Sequence, residues 1–278
     1  MRIALTGATG FLGTRLVQLL REEGGHDLQL LRRDAYGDLD GAEAVIHLAG
    51  EPVAQRWTKD VKRKIRGSRV EGTRNLVAAL GALFDRPRTL VCASAIGYYG
   101  SRGDEVLTES CARGAGFLLE VCEEWEQAAG EARELGIRVV TPRIGVVLGK
   151  NGGALAKMLP PFRFGLGGPL AGGHQWMSWV HVDDLVRLIV FAVHTAELVG
   201  AVNAVSPNPV TNADFTRVLG AALHRPAILP VPEFALRLLY GEMASILVVS
   251  QRAVPNAARA AGFEFLHPDL AKTLDGLL

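Results

Sequence analysis

Short apolar runs alternate along this chain with longer stretches of helical period. The first run, Arg2-Ile3-Ala4-Leu5, stops at a glycine-rich turn, beyond which Leu12, Leu16, Leu19 and Leu20 recur at helical spacing until Gly24-Gly25. That pattern predicts strand, turn, helix. Runs at 28–31, 44–48, 89–93 and 137–141 predict further strands, and residues 61–83, 117–135 and 183–194 carry helical periods, the second closed by Gly136. Strands separated by helices call for a parallel sheet, so the fold class is α/β. The interval 34–43 is too short for a helix plus another strand, so the sheet should end there without an outer strand.

From residue 151 onward the texture changes. Gly152-Gly153, Pro160-Pro161, the glycines between 165 and 173, and Pro207, Pro209, Pro226, Pro230 and Pro232 punctuate short elements. Thr211 followed by Asp214 resembles a capping box opening a helix through Leu223. A smaller α+β lobe, of the kind that holds substrate in α/β enzymes, is expected at about 151–180 and 206–278, with the sheet domain spanning 1–150 and continued by about 181–205.

Lysine and arginine number 30 against 29 acidic residues, a net charge of +1 that gives no electrostatic reason to expect nucleic acid or an anionic membrane as partner. Cys92, Cys111 and Cys122 are too scattered for a disulfide framework and lack the paired spacing of a zinc site, so no metal is expected and a reducing cytoplasm is the natural compartment. The most apolar stretches fall far short of the ~20 residues of a membrane-spanning helix. With hydrophobic residues at 49% and no repeat, the chain reads as one soluble globular fold.

The turn Thr6-Gly7-Ala8-Thr9-Gly10-Phe11-Leu12-Gly13 joins the first strand to the first helix. Phosphate must approach backbone N–H groups closely there: Gly7 serves the turn, Gly10 the approach of a pyrophosphate and Gly13 the packing of helix on strand. A glycine triad in that position makes the sheet a Rossmann-type, doubly wound dinucleotide domain. Cofactor contacts are expected from Thr6, Gly7, Thr9, Gly10, Phe11, Leu12 and Gly13. After the second strand, where an acid would accept the ribose 2′-hydroxyl of NAD, the chain has Arg32-Arg33; guanidinium groups suit a 2′-phosphate, so NADP(H) is expected.

Several further motifs accompany the turn: His47-Leu48-Ala49-Gly50-Glu51-Pro52, Arg56-Trp57, Ser68-Arg69, Ser94-Ala95-Ile96-Gly97-Tyr98-Tyr99-Gly100, Pro142-Arg143 and Trp179-Val180-His181-Val182-Asp183-Asp184-Leu185. With them the sequence resembles the extended short-chain dehydrogenase/reductase superfamily, in its atypical, nucleoside-diphosphate-sugar epimerase-like branch with a C-terminal domain of unknown function. The resemblance covers nearly the whole chain. It implies that Leu48, Ala49, Gly50 and Arg143 lie at the cofactor and that Ser94 faces the nicotinamide; by analogy with relatives that pair their two long helices, it suggests a homodimer.

Two departures matter. The superfamily's acid/base is a tyrosine with a lysine four residues later, yet the corresponding helix places Phe117 or Leu118 at the phenol and Val121 or Cys122 at the ammonium. The stretch that usually presents an arginine to a substrate diphosphate reads Trp176-Met177-Ser178, which suggests an uncharged wall and poor binding of uridine-diphosphate sugars. The leading expectation is an NADP(H)-dependent oxidoreductase acting on a small molecule, with Ser94 as the substrate-oriented hydroxyl and Tyr98 as proton donor. Tyr99 reads as packing and Glu120 as a solvated surface acid. The alternatives are a non-catalytic NADP(H)-binding or redox-sensing module and an epimerase with a relocated acid/base.

Overall fold

A computed structural model gives the fold and describes residues 1–32, 36, 39–150 and 152–278. The sheet domain is built from β1 (Arg2–Thr6), α1 (Phe11–Glu23), β2 (Asp27–Leu31), β3 (Ala44–His47), α2 (Lys59–Gly81), β4 (Thr89–Cys92), α3 (Phe117–Gly130), β5 (Arg138–Ile144), α4 (Val182–His194) and β6 (Gly200–Ala204). These strands pair in parallel in the order β6-β5-β4-β3-β1-β2, and the short strand Ser94–Ala95 extends the line of β4 by pairing with β5.

Helices cover both faces, which is why β3 (AVIH) and β4 (TLVC) are buried at every position instead of alternating with polar residues. Along β1 the side chains divide by their period of two. Ile3 and Leu5 join the core under α1 and α4, with Leu16, Leu20, Leu185 and Ile189. Ala4 joins the opposite core under α2 and α3, with Leu76, Leu80, Trp125 and Ala129. The strand β2 closes the sheet, and the described residues between it and β3 form no helix or strand, as the short interval requires. The helical period of 117–135 resolves into α3 and a tighter turn, Glu131–Leu135, ended by Gly136 in the left-handed conformation.

A third core lies beyond the sheet. The strand Val146–Gly149 pairs in parallel with Trp179–His181, and Leu148, Leu155, Phe162, Trp179, Phe215, Leu219, Leu270 and Leu274 pack together. Thr211 caps the helix Asn212–Ala222: its hydroxyl oxygen accepts the Asp214 N–H, and its O–H donates to the Asp214 carboxylate at 2.7 Å. No helix among the described residues is long and apolar enough to cross a membrane.

The C-terminal tail returns to the sheet domain through one buried acid. Asp184, 1% exposed in the first turn of α4, accepts the backbone N–H groups of Leu266 at 2.9 Å and His267 at 2.8 Å and the Arg187 guanidinium at 3.1 Å. Removing it orphans two amides beneath the tail. Asp184→Ala is expected to cost about 3 kcal/mol in urea unfolding, and a loss below about 0.5 kcal/mol would show that the tail is held elsewhere.

Candidate dinucleotide and active site

The turn after β1 has little freedom. Gly7 has φ +74°, and a Cβ there would sit 2.8 Å from the Ala49 nitrogen; a Cβ on Gly13 would sit 2.1 Å from the Gly7 carbonyl oxygen. Gly10 is different, since its added Cβ would meet only the Gly7 oxygen, at 3.4 Å. It is the N-cap of α1 and offers no side chain to the helix's first N–H groups. Open space above uncapped amides at a helix start fits a pyrophosphate. The Phe11 ring turns away from that space onto glycines of the 149–153 loop: Cβ atoms built on Gly149, Gly152 and Gly153 would lie 2.6, 2.1 and 3.0 Å from it. Leu12 packs against the core under α1 and Thr9 is exposed.

The Thr6 side chain ties β1 to the exit of β3. Its oxygen accepts the Ala49 N–H at 3.4 Å and lies 2.6 Å from His47 Nδ1. Beside this pair opens a cavity of about 580 Å³ whose lining includes Tyr36, His47, Ala49, Gly50, Lys64 and Ser68. His47 Nε2 is buried without a hydrogen-bond partner among the described residues, and burial pushes the imidazole down to about 4, so the ring is neutral. An orphaned polar atom on a cavity wall, next to the glycine turn, suits a ribose or adenine edge. Arg32 is exposed after β2, and Arg33 lies outside the described residues.

Lys64 belongs to no motif of the sequence; it lies on α2, where Lys64, Gly67, Ser68, Glu71, Gly72 and Asn75 line the cavity. A polar and small row on a helix that must cover a sheet is the signal that marks them. Arg69 donates to the Glu51 carbonyl at 2.9 Å, and its Cζ would lie 3.2 Å from a Cβ on Gly50.

At the other end of the site, Glu126 on α3 organises the residues that sequence reasoning had separated. Its carboxylate accepts the Ser94 hydroxyl at 2.6 Å and Arg143 Nε and Nη2 at 2.8 Å each. Arg143 Nη1 donates to the Tyr99 hydroxyl at 2.9 Å, which in turn donates to Asn203 Oδ1 at 2.7 Å. Burial alone would lower the Arg143 pKa, but the hydrogen bonds and charge of Glu126 outweigh it and hold it raised.

Two expectations are corrected here. Ser94 is 2% exposed with its proton committed to Glu126, so it does not face a substrate; Arg143 is 4% exposed with its fork filled by Glu126 and Tyr99, so it is no free cofactor ligand. Tyr98 is different: it is half-buried, the Arg143 guanidinium lies 3.4 Å over its ring, and its hydroxyl has no hydrogen bond among the described residues. Tyr99 is wholly buried, and burial pushes its phenol up to about 12, in keeping with packing. Glu120 is exposed 3.9 Å from Arg66, a surface acid.

Of the residues expected at the phenol and ammonium positions, Leu118 and Cys122 are the pair that faces Gly97. A Cβ on Gly97 would touch Leu118 Cβ at 3.4 Å and Cys122 Sγ at 3.6 Å, whereas Phe117 turns to Trp57 with ring centroids 5.3 Å apart. The expectation of an uncharged wall at Trp176-Met177 is also corrected: Arg252 stacks 4.1 Å over the Trp176 ring, contributed from a distant part of the sequence.

Residues 3–204 match the NAD dependent epimerase/dehydratase family, and residues 231–277 match a domain of unknown function, DUF1731. The chain belongs to the NAD dependent epimerase/dehydratase family. It is 40% identical to the chloroplastic epimerase family protein SDR39U1 homolog of Arabidopsis thaliana, an alignment covering 100% of this chain and 87% of that protein. The crystal structure of human epimerase family protein SDR39U1, isoform 2, with NADPH superimposes with a TM-score of 0.93 at 33% identity, covering 100% of this chain and 99% of that one. UDP-glucuronic acid 4-epimerase from Bacillus cereus, at 16% identity and a TM-score of 0.82 over 100% of this chain and 98% of that one, shares the fold.

Because His47 is neutral when folded and protonates from 6.5 when unfolded, its contribution to stability is complete above pH 6.5. It is lost as pH falls from 6.5 towards 4, where the unfolded state binds the extra proton. Between pH 7 and 5 this amounts to about 2 kcal/mol. Urea unfolding at the two pH values should show that difference shrinking in His47→Asn; an unchanged difference would remove His47 from the acid response.

Proposed function

We propose that this family member is an NADP(H)-dependent oxidoreductase acting on a small molecule, with Tyr98 in place of the missing tyrosine–lysine pair. The observation that carries the reading is the uncapped start of α1 at Gly10, open to the end of β1 and followed after β2 by Arg32 instead of an acid. NADPH in the human relative's structure supports the same cofactor. Gly7, Gly10 and Gly13 would hold the pyrophosphate, His47, Ala49 and Gly50 the adenosine end, and Arg32, Arg33 and Lys64 the 2′-phosphate. When bound, the nicotinamide supplies or accepts a hydride.

The chain's own residues then have to manage one proton. Tyr98 presents a hydroxyl with no hydrogen bond among the described residues, and the Arg143 guanidinium lies 3.4 Å over its ring, holding the ring in place. Glu126 and Ser94 fix that guanidinium from below, so they position it without touching substrate. A second reading, a dinucleotide-binding module without turnover, is favoured by one observation: α3 carries neither tyrosine nor lysine, and it turns Leu118 and Cys122 towards Gly97.

Fluorescence titration should show NADPH binding more tightly than NADH, and Arg32→Ala/Arg33→Ala should weaken NADPH by about one to two decades. Equal NADPH affinity in the two proteins would take these arginines out of the site. A screen of carbonyl compounds for NADPH oxidation tests turnover, and on any substrate found Tyr98→Phe should lower kcat by roughly two to four decades with NADPH affinity unchanged. Ser94→Ala should change kcat by less than about one decade. Wild-type kcat in Tyr98→Phe would assign the proton to another group.

A further inference from the structure

A second cavity, of about 700 Å³, opens between the outer face of α1, the start of α4 and the C-terminal helix Leu270–Leu277. It shares no lining residue with the cavity at His47 and Ala49. The Phe11 ring, seated on the 149–153 glycines, forms part of its wall.

Its lining is cationic and rich in hydrogen-bond donors. Arg15 from α1, Lys150 from the loop after Val146–Gly149 and Lys272 from the C-terminal helix all face it, with Asp183 as the one acid. The Asp183 carboxylate is engaged through one oxygen by Arg15 Nε at 2.6 Å, leaving the two lysines unopposed within the lining. His181 and His267, stacked with centroids 3.9 Å apart, complete that side; His181 Nδ1 accepts the Asp183 N–H at 3.0 Å, so its Nε2 carries a proton available to an acceptor.

The Oγ1 of Thr273, a residue 3% exposed, is buried on this wall without a hydrogen bond among the described residues, and Arg15 Nη1 on the same wall is held only by an ion pair with Glu22 at 3.5 Å. A buried donor left without a hydrogen bond costs about 1–3 kcal/mol, so the Thr273 hydroxyl beside Arg15, Lys150 and Lys272 is an arrangement that an acceptor would complete. A carboxylate, guanidinium or apolar ligand would satisfy fewer of these groups than a tetrahedral oxyanion with several lone-pair directions.

We propose that this cavity is a binding site for a small phosphate-bearing molecule, separate from the dinucleotide site, held by Arg15, Lys150, Lys272 and the Thr273 hydroxyl. Its volume suits a phosphorylated metabolite of sugar size or larger. Because one wall is the C-terminal helix and another is α1, the occupant would clasp the tail against the sheet domain. Binding should therefore raise the melting temperature of the whole chain.

The probes are inorganic phosphate and ribose 5-phosphate, titrated calorimetrically into the full-length protein with and without saturating NADPH. Saturable binding of ribose 5-phosphate that persists with NADPH present is expected. Lys150→Met/Lys272→Met should weaken it by about tenfold or more, and Thr273→Val by about fivefold, with NADPH affinity unchanged in both. Thr273→Val also separates a ligand role from a structural one: an orphaned hydroxyl replaced by a methyl should leave the melting temperature of the free protein unchanged or raised, while reducing the rise given by ribose 5-phosphate. Displacement by NADPH would place the phosphate in the cofactor site and overturn the proposal. So would affinities untouched by these substitutions, or the absence of saturable binding by either probe up to about 10 mM.

Discussion

The apposition of β1 and α1 across the Gly7–Gly13 contact is the constraint from which the site follows. The Gly7 carbonyl occupies the space that any side chain at Gly13 would need, and Gly7 itself rests on the Leu48–Ala49 backbone. The first contact sets the angle of α1 to the sheet, and the second brings the exit of β3 under the turn. Thr6 then locks the same junction from inside by bridging Ala49 and His47. Three chain segments meet within van der Waals distance because two of the meeting residues lack a Cβ, and the open face of Gly10 is the remaining opening through which a phosphate can reach the helix amides.

Beyond that turn the active end is organised by a buried charge pair instead of a catalytic lysine. Glu126 and Arg143 come from α3 and β5 and leave almost no fork atom free, since Ser94 and Tyr99 take the positions they do not give each other. A buried pair of this kind is costly to break from one side and is compatible with a single arrangement of its neighbours. Tyr98 is fixed by it through the ring face, which leaves the phenolic oxygen the least constrained polar atom of the cluster. Leu118 and Cys122 lie against Gly97 of the same stretch, and burial pushes the Cys122 thiol up to about 12, so it stays protonated.

The strands were legible because each is a short run of apolar residues flanked by turn chemistry, and the end of the sheet at β2 among the described residues follows the short interval to β3. Helix faces were harder. Glu126 sits among Glu120, Glu123 and Glu124 on a charged helix, where spacing gives no reason to separate a buried acid from solvated ones. What distinguishes it is the reach of Arg143 from a strand, a contact between residues on different elements that no local period encodes. Arg252 over Trp176 is the same kind of case, because the tail supplies a cation to a stretch that reads as neutral. Ser94 and Arg143 stand out by motif, but motif does not say which hydrogen bonds they make with Glu126.

The C-terminal tail shows how far such long-range contacts extend. Its helix contributes Leu270 and Leu274 to the third core, while its preceding loop is pinned by Asp184 to the start of α4. Asp184 acts on backbone amides, so the docking tolerates side-chain change in the loop and fixes only its path. His267 is carried onto His181 by that path, and Thr273 onto the wall facing Arg15. The segment matched to a domain of unknown function therefore does not end as a separate module. It completes a surface of the sheet domain along the first turns of α1, the helix whose N-terminus is shaped for the dinucleotide, and so a ligand held by the tail and a cofactor held by the turn would both act on the position of α1.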